Sequence, residues 1–164
     1  MPKVLLSLGS NIAPQTNLRA ALDALKQLPG LRGLRTSRWY QAPAVGFDGP
    51  DFVNCASVGE WLGELSELQL VIRELEDRAA RDRNAPKFSS RTLDIDVVLY
   101  GDAIIEEGSG IPRDELLEHA FVLRPCAELE PDWVHPQTGR RLGAHWLEWR
   151  VLREDPLTPL VAKS

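Results

Sequence analysis

Two aspartates stand two positions apart in a stretch that is otherwise apolar. In SSRTLDIDVVLYG, residues 89–101, branched aliphatic side chains recur at every second position, which predicts a half-buried β-strand. On the other face of that strand, Asp94 and Asp96 would lie side by side, roughly 6–7 Å apart at about 3.3 Å per residue. Two carboxylates at that distance repel each other, and strands are generally poor in aspartate.

A bound divalent cation would relieve this repulsion. Carboxylate oxygens are hard ligands, and Mg²⁺ is usually held by one or two of them, with waters and substrate phosphates completing its shell. The alternative is a solvated edge strand that carries two acids by chance, because a short Asp-x-Asp pattern is common.

The segment before the aspartates is rich in basic residues. In a chain with a formal net charge of -5, one acid, Asp82, stands there among Arg78, Arg81, Arg83, Lys87 and Arg91. Arginine forks suit phosphate oxygens, and a metal beside arginines is what transfer from a Mg-nucleotide needs. A solvated basic loop is the alternative. The chain contains neither GxxxxGK[ST] nor GxGxxG, which excludes P-loop, Rossmann and protein-kinase nucleotide sites.

The composition is that of an ordinary globular protein. With 164 residues, 43% hydrophobic and 26% charged, we expect one domain, residues 1–164, acting as a monomer. The negative net charge argues against binding to nucleic acid or to a membrane surface. We find no signal peptide and no apolar run of membrane length, so we expect a cytoplasmic protein. Cys55 and Cys126 have no metal-binding spacing and are expected to be buried free thiols.

Hydrophobic periodicity predicts the element order β-α-β-β-α-β. The predicted strands cover residues 3–8, 34–41, 52–61 and the aspartate stretch. One helix spans 17–27 with Thr16 as its N-cap, and a second begins at a capping box of Ser66 and Gln69 and ends at Arg78. This order predicts an α+β, ferredoxin-like sandwich. A C-terminal extension from residue 103 adds a short strand, helical pieces over 114–131 and a turn at 135–139.

The sequence resembles the 6-hydroxymethyl-7,8-dihydropterin pyrophosphokinase family of the folate pathway. RTLDIDVVLYG, residues 91–101, resembles the family signature. Four further stretches resemble family motifs in family order: LSLGSN (6–11), SRWYQAPAVG with PDFVNCA (37–56), LEDRAARDR (75–83) and FVLRPCAELEPDWVHPQTG (121–139).

The resemblance implies transfer of the β,γ-pyrophosphoryl group of ATP, as co-substrate, to the hydroxymethyl oxygen of the pterin, with release of AMP. It implies two Mg²⁺ ions on the aspartates and catalytic roles for Arg81, Arg91, Asp94 and Asp96. The nucleotide-binding residues that it implies are Glu76, Arg81, Arg83, Arg91, Arg113 and His119.

The pterin side also follows from physical requirements. A flat heterocycle needs aromatic faces and a few fixed polar partners. By resemblance, the substrate-binding residues are Pro43, Val45, Phe52, Asn54, Phe88 and Phe121, with Phe52 and Phe121 as the stacking pair. For each phenylalanine, core packing is the alternative. Asn54 lies among apolar residues of a strand, where an amide costs free energy unless it is paired.

The sequence departs from the family pattern at several positions. Arg113 stands where the family has a histidine and His119 where it has an arginine, so the two cationic positions are exchanged. Ala80 replaces a glycine of the GRxR motif, and Ser89–Ser90 replaces Gly-Pro. Two hypotheses follow: an active pyrophosphokinase, with a kinase of a related pteridine as its variant, or a catalytically impaired paralogue that binds nucleotide or pterin as a regulatory module.

Overall fold

The computed structural model describes residues 1–80 and 92–160, which form an antiparallel sheet covered by helices. Within those residues the strands are β1 (Lys3–Ser10), β2 (Leu31–Thr36), β3 (Tyr40–Ala42), β4 (Phe52–Trp61), β5 (Asp94–Tyr100) and β6 (Thr158–Pro159). The helices are α1 (Pro14–Lys26), α2 (Leu65–Ala79), α3 (Glu115–Glu118), α4 (Ala120–Leu129) and α5 (Leu142–Leu152).

Strand β1 lies at the centre of the sheet. It pairs antiparallel with β5 on one side and with β4 on the other. The far edge of β4 pairs with both β2 and β3, and β6 pairs with β3. With β2 and β3 counted as one interrupted strand, this is the strand order of a split βαβ unit, so the predicted ferredoxin-like fold is confirmed.

Helices α1 and α2 cover one face of the sheet. The residues that bury there recur at helical spacing, as predicted, and pack on alternate residues of β1. This cluster includes Leu18, Leu22 and Leu25 of α1, Leu68, Ile72 and Leu75 of α2, and Val4, Leu6 and Leu8 of β1.

The C-terminal extension covers the other face. Leu116 of α3, Leu123 of α4 and Trp149 of α5 pack against Leu5 of β1 and Leu99 of β5. The helical pieces predicted over 114–131 are therefore the second layer of the sandwich. The predicted turn also forms, since the Gly139 N–H donates to the His135 carbonyl at 2.9 Å.

Strand β5 contains a β-bulge. Leu5 of β1 pairs with Leu99 and Leu6 pairs with Val97, so Val98 has no partner opposite it. The extra residue reverses the facing of the side chains beyond it. Ile95 and Val97 therefore pack toward α1 and α2, whereas Leu99 joins the opposite cluster. The prediction that Leu99 shares a face with Ile95 and Val97 was wrong for this reason.

The predicted helix starts were also wrong. Helix α1 begins at Pro14 after Ala13, whose φ of 42° lies in the left-handed region, and Thr16 lies inside the first turn. Proline suits this position because its fixed φ is helical and its missing N–H is not needed there. Helix α2 begins at Leu65 after Glu64, with no side-chain cap, so Ser66 and Gln69 do not form a capping box.

The strand predicted over 34–41 is interrupted at residues 37–39. Ser37 causes the interruption, because its hydroxyl replaces a backbone acceptor. The Ala56 N–H donates to Ser37 Oγ at 2.9 Å, and the Ser37 N–H donates to the Ala56 carbonyl at 2.9 Å. Strand β1, in contrast, extends beyond the predicted residues 3–8 and continues through Gly9 and Ser10.

Two further properties follow from the described residues. No helix among them is long and apolar enough to cross a bilayer. Cys55 and Cys126 are buried free thiols, as predicted, and burial raises the pKa of Cys55 to about 12.

Candidate active site

Strand β5 places the two aspartates beside the least bulky part of β1. Asp94 pairs across the ladder with Gly9, and Asp96 pairs with Ser7. Small neighbours leave open space next to the carboxylates, and both aspartates are only half-buried. Asp94 and Asp96 line one cavity of about 390 Å³, so the strand brings them to a common face.

A third carboxylate reaches this strand from helix α2. Glu76 Oε2 accepts a hydrogen bond from the Ile95 N–H at 3.0 Å, between the two aspartates in sequence. Burial and the neighbouring charges of Asp94 and Asp96 together raise the pKa of Glu76 to about 7, against the opposing effect of the bond from Ile95. The site therefore has a concentration of negative charge that a cation would stabilise.

The donor set fits Mg²⁺. Asp94 and Asp96 offer hard oxygen atoms at neighbouring positions of one cavity wall. Among residues 1–80 and 92–160, no three side chains of His, Cys, Asp or Glu are arranged to hold a metal on their own. A pair of carboxylates suits Mg²⁺ because this ion keeps several waters and takes substrate phosphates as ligands.

The cavity beside the aspartates has an aromatic wall, and we call it the aromatic cavity. Its lining includes the predicted Pro43, Val45, Phe52, Asn54 and Phe121. A further phenylalanine, Phe47, lies edge-on to Phe52, with ring centroids 6.3 Å apart and planes at 86°.

Asn54 presents an amide to the aromatic cavity. The residue is 5% exposed, and its side chain makes no hydrogen bond to another residue of 1–80 or 92–160. Gly9 makes this position possible, because a Cβ at Gly9 would lie 2.5 Å from Asn54 Oδ1. An amide that lines a cavity and has no partner among the described residues is a ready hydrogen-bonding group for a ligand.

A second cavity of about 520 Å³ adjoins the first, and we call it the polar cavity. Helix α2 contributes Gln69, Arg73 and Glu76, and the opposite wall is the 107–110 loop. Asp96 and Arg113 line both cavities. The two cavities therefore meet at Asp96 and Arg113, whereas Asp94 lines the aromatic cavity alone.

Arg113 is held at this junction by two acids. Its Nε donates to Glu115 Oε2 at 3.2 Å, and its Nη2 lies 3.5 Å from Asp96 Oδ1. The side chain is 19% exposed, so the guanidinium lies largely inside the wall between the cavities.

His119 lies elsewhere, in the aromatic wall. Its ring stacks on Phe121 with centroids 4.8 Å apart and planes 13° apart. His119 lines the aromatic cavity and is absent from the lining of the polar cavity. The exchange of the two cationic positions thus puts an arginine beside Asp96 and a histidine beside the ring of Phe121. Nucleotide binding by His119 stays a prediction.

Residues 5–131 match the family of 7,8-dihydro-6-hydroxymethylpterin-pyrophosphokinases (HPPK). The chain belongs to this family. It is 36% identical over 140 residues to a 2-amino-4-hydroxy-6-hydroxymethyldihydropteridine pyrophosphokinase of Synechocystis, covering 84% of this chain and 71% of that protein. It is 37% identical over 145 residues to an enzyme of the same name from Pseudomonas aeruginosa, covering 85% of this chain and 87% of that protein.

A solved structure shares the fold of this HPPK family member. Plasmodium falciparum HPPK-DHPS superimposes with a TM-score of 0.77 at 12% identity, covering 98% of this chain. The chain spans 49% of the length of that structure. The family and the relatives named above are pyrophosphokinases, which transfer pyrophosphate to a hydroxymethyldihydropterin. These similarities do not favour the hypothesis of an impaired paralogue.

The structure does not describe every predicted site residue. Arg81, Arg83, Phe88 and Arg91 lie outside the described residues, so their roles stay predictions. Sequence reasoning also missed residues that the cavities contain, namely Ser7, Gly9, Phe47 and Glu115. Gly9 could have been found from the LGSN stretch, whereas Glu115 gave no signal except its position two residues after Arg113.

Proposed function

We propose that this chain transfers pyrophosphate from ATP to 6-hydroxymethyl-7,8-dihydropterin and produces the pterin diphosphate and AMP for folate synthesis. One observation carries the proposal: the aromatic cavity, which is lined by both aspartates and by the amide of Asn54, meets the polar cavity at Asp96 and Arg113. Such an arrangement suits a reaction in which a heterocycle and a nucleotide bind on opposite sides of a metal. The proposal takes residues 1–164 as one catalytic domain that acts as a monomer.

The aromatic cavity is proposed to bind the pterin. Phe52 and Phe121 supply aromatic faces for the flat ring system, and Phe47 supports Phe52 from the side. The amide of Asn54 can both donate and accept, which suits the adjacent donor and acceptor atoms of a pterin edge. Pro43 and Val45 lie at the rim, where their backbone groups could contact the same ligand.

Asp94 and Asp96 are proposed to hold two Mg²⁺ ions. The bound metal would supply charge stabilisation for the phosphate oxygens and their leaving group. Glu76 is proposed to hold the aspartates in place, because its carboxylate binds the N–H of Ile95 between them. It also lines the polar cavity, where the nucleotide is proposed to bind.

The remaining chemistry is positioning. The pterin hydroxymethyl oxygen forms a bond to the β-phosphorus of ATP, the bond from that phosphorus to the α-phosphate oxygen breaks, and AMP departs while the hydroxyl proton is lost to water. Arg81 and Arg91 are proposed to stabilise the charge that develops, with Arg83 and Phe88 contributing to substrate contacts. Arg113, at the junction of the cavities, is proposed to contact the phosphates.

Release of AMP from ATP tests this function. AMP should form only when both the pterin and Mg²⁺ are present, and a chelator should stop it. Asp94→Ala and Asp96→Ala should each lower the rate about a hundredfold or more, because each removes a metal ligand. Without Mg²⁺, Asp94→Ala should unfold at a higher temperature than the parent, because the repulsion between the two acids is relieved while the ion pair of Asp96 with Arg113 is kept.

Asp23→Ala is the matched control, because Asp23 is an exposed aspartate of α1 outside both cavities. It should leave the rate unchanged. A parent protein that binds ATP and pterin but forms no AMP would overturn the proposed activity, and an active Asp96→Ala variant would overturn the metal assignment.

A further inference from the structure

Arg113 is anchored to the same strand that carries the aspartates. Its N–H donates to the carbonyl of Val98 at 3.1 Å, and Val98 is the bulged residue of β5. From that anchor the side chain reaches both Asp96 and Glu115. The backbone hydrogen bond limits the region that the guanidinium can reach, and the ion pairs with the two acids set its position within that region.

The two contacts differ in kind. The bond from Nε to Glu115 Oε2, at 3.2 Å, has the length of a hydrogen bond, whereas the distance of 3.5 Å from Nη2 to Asp96 Oδ1 is that of a looser ion pair. A guanidinium carries five N–H donors in a fixed fork, so it can keep one acid while it releases the other. Glu115 is therefore suited to retain Arg113 at the junction when Asp96 takes another cation.

We propose that Arg113 shares Asp96 with the divalent cation. In the absence of the cation, Arg113 offsets the charge of Asp96 and holds its carboxylate at the junction. When the cation binds Asp96, Nη2 is released while Nε stays on Glu115, and the freed donors face the phosphates of the nucleotide. This inference rests on the proposed function for the identity of the nucleotide, but the exchange at Asp96 does not depend on turnover.

If Arg113 and the cation compete for Asp96, Arg113 should weaken metal binding when no nucleotide is present. The test is titration of the protein with Mn²⁺, followed by its electron paramagnetic resonance signal, for the parent and for Arg113→Gln. The variant should bind Mn²⁺ about two- to fivefold more tightly, which corresponds to the worth of a partly exposed ion pair. With metal present, the same variant should bind ATP more weakly than the parent does, because the phosphates lose a donor.

Arg140→Gln is the matched control. Arg140 also pairs with a glutamate, Glu148, but it lies outside the lining of both cavities. This variant should bind Mn²⁺ as the parent does. Unchanged Mn²⁺ affinity in Arg113→Gln, or an equal gain in Arg140→Gln, would overturn the proposal, because the effect would then be absent or would reflect net charge alone.

A measurement on the parent protein keeps the test independent of how the variant folds. In ¹⁵N-labelled protein, the side-chain Nε–H resonance of Arg113 should shift as Mg²⁺ is added. The Mg²⁺ concentration at half of the total shift should equal the concentration at which half of the metal sites are filled. The same resonance should not respond in Asp96→Asn. If the Nε–H resonance of Arg113 in the parent does not shift with Mg²⁺, the proposal that Arg113 shares Asp96 with the cation is overturned. Failure of the parent to release AMP would instead overturn the proposed function and leave the metal and resonance results to stand by themselves.

Discussion

At the scale of single residues, the candidate site depends on the absence of a side chain at Gly9. Gly9 and Asn54 are cross-strand partners in β1 and β4, and the amide of Asn54 occupies the space where a side chain at Gly9 would begin. The choice of residue at position 9 therefore controls a hydrogen-bonding group on the neighbouring strand. A sequence pattern alone does not reveal such a relation, because it requires the register between two distant segments.

We expect Gly9→Ala to weaken pterin binding about ten- to hundredfold, because the new Cβ would displace the Asn54 amide from its ligand position. ATP affinity should change little. Isothermal titration with each substrate would measure both effects, and a thermal melt would check that the variant folds.

The effect should depend on Asn54. In an Asn54→Ala background, Gly9→Ala should cause no further loss of pterin affinity, which a double-mutant cycle would show. Additive losses would mean that Gly9 acts through the backbone and not through the amide.

At the scale of elements, Glu128 of α4 fastens the short strand β3 and the residues before it to the second helical layer. Its carboxylate accepts hydrogen bonds from the hydroxyl of the fully buried Tyr40, from the Arg38 N–H at 2.7 Å and from Arg38 Nε at 3.0 Å. Burial alone would raise the pKa of Glu128, but the bonds from Tyr40 and Arg38 outweigh it, and the pKa is lowered.

Glu128→Gln should therefore lower the free energy of unfolding at neutral pH by about 1.5–3 kcal/mol, the range for hydrogen bonds to a charged group. A lowered pKa means that this stabilisation is complete above the unfolded-state value of 4.5 and is lost as the pH falls through the folded-state value. The difference between parent and variant should thus shrink between pH 5 and pH 3. Urea unfolding across that range would measure it.

Glu74→Gln, at an exposed position of α2, serves as the control and should change the stability little at any of these pH values. A difference between parent and Glu128→Gln that persisted unchanged at pH 3 would show that the charge of Glu128 does not contribute.

Element order was predictable from the sequence, but element boundaries were not. Leu18, Leu22 and Leu25 recur at helical spacing and gave α1 correctly, because burial of one face is a local pattern. Its start was missed because the apolar periodicity begins only at Leu18, although Pro14 is a residue favoured at the first helical position. The bulge at Val98 was missed for a similar reason, since it exists only in the pairing with β1.

The candidate site was predictable to a similar extent. Asp94 and Asp96 were found because two acids in an apolar strand need an explanation. The positions of Arg113 and His119 relative to them were not, because both residues lie in the C-terminal extension, far along the chain from β5. Their places depend on how α3 and α4 pack on the sheet.

At the scale of the whole molecule, the sheet separates two hydrophobic clusters that share β1. Because β1 contributes alternate residues to both, loss of packing on either face should destabilise the same central strand. The helices of the C-terminal extension should therefore unfold together with the rest of the chain and not as a separate unit.

Leu123→Ala tests this coupling. Leu123 is 1% exposed in α4, so its truncation should lower the free energy of unfolding by about 2–5 kcal/mol. Far-ultraviolet circular dichroism and tryptophan fluorescence should still report one transition with a common midpoint. Leu147→Ala, at a residue of α5 that is 59% exposed, should change stability by less than about 0.5 kcal/mol. Two separate transitions in the parent would contradict the coupling.

The bulge at Val98 also limits how this strand can evolve. Residues 94–97 alternate between the carboxylates and the α1–α2 cluster, and beyond the bulge the alternation is reversed. Side chains in the second half can therefore drift among apolar types without disturbing the acids. Deletion of the bulged residue is different, because it would move either the two aspartates or Leu99 to the opposite face of the sheet. Apolar substitutions at residues 98–100 should therefore disturb the site less than a deletion of one residue there.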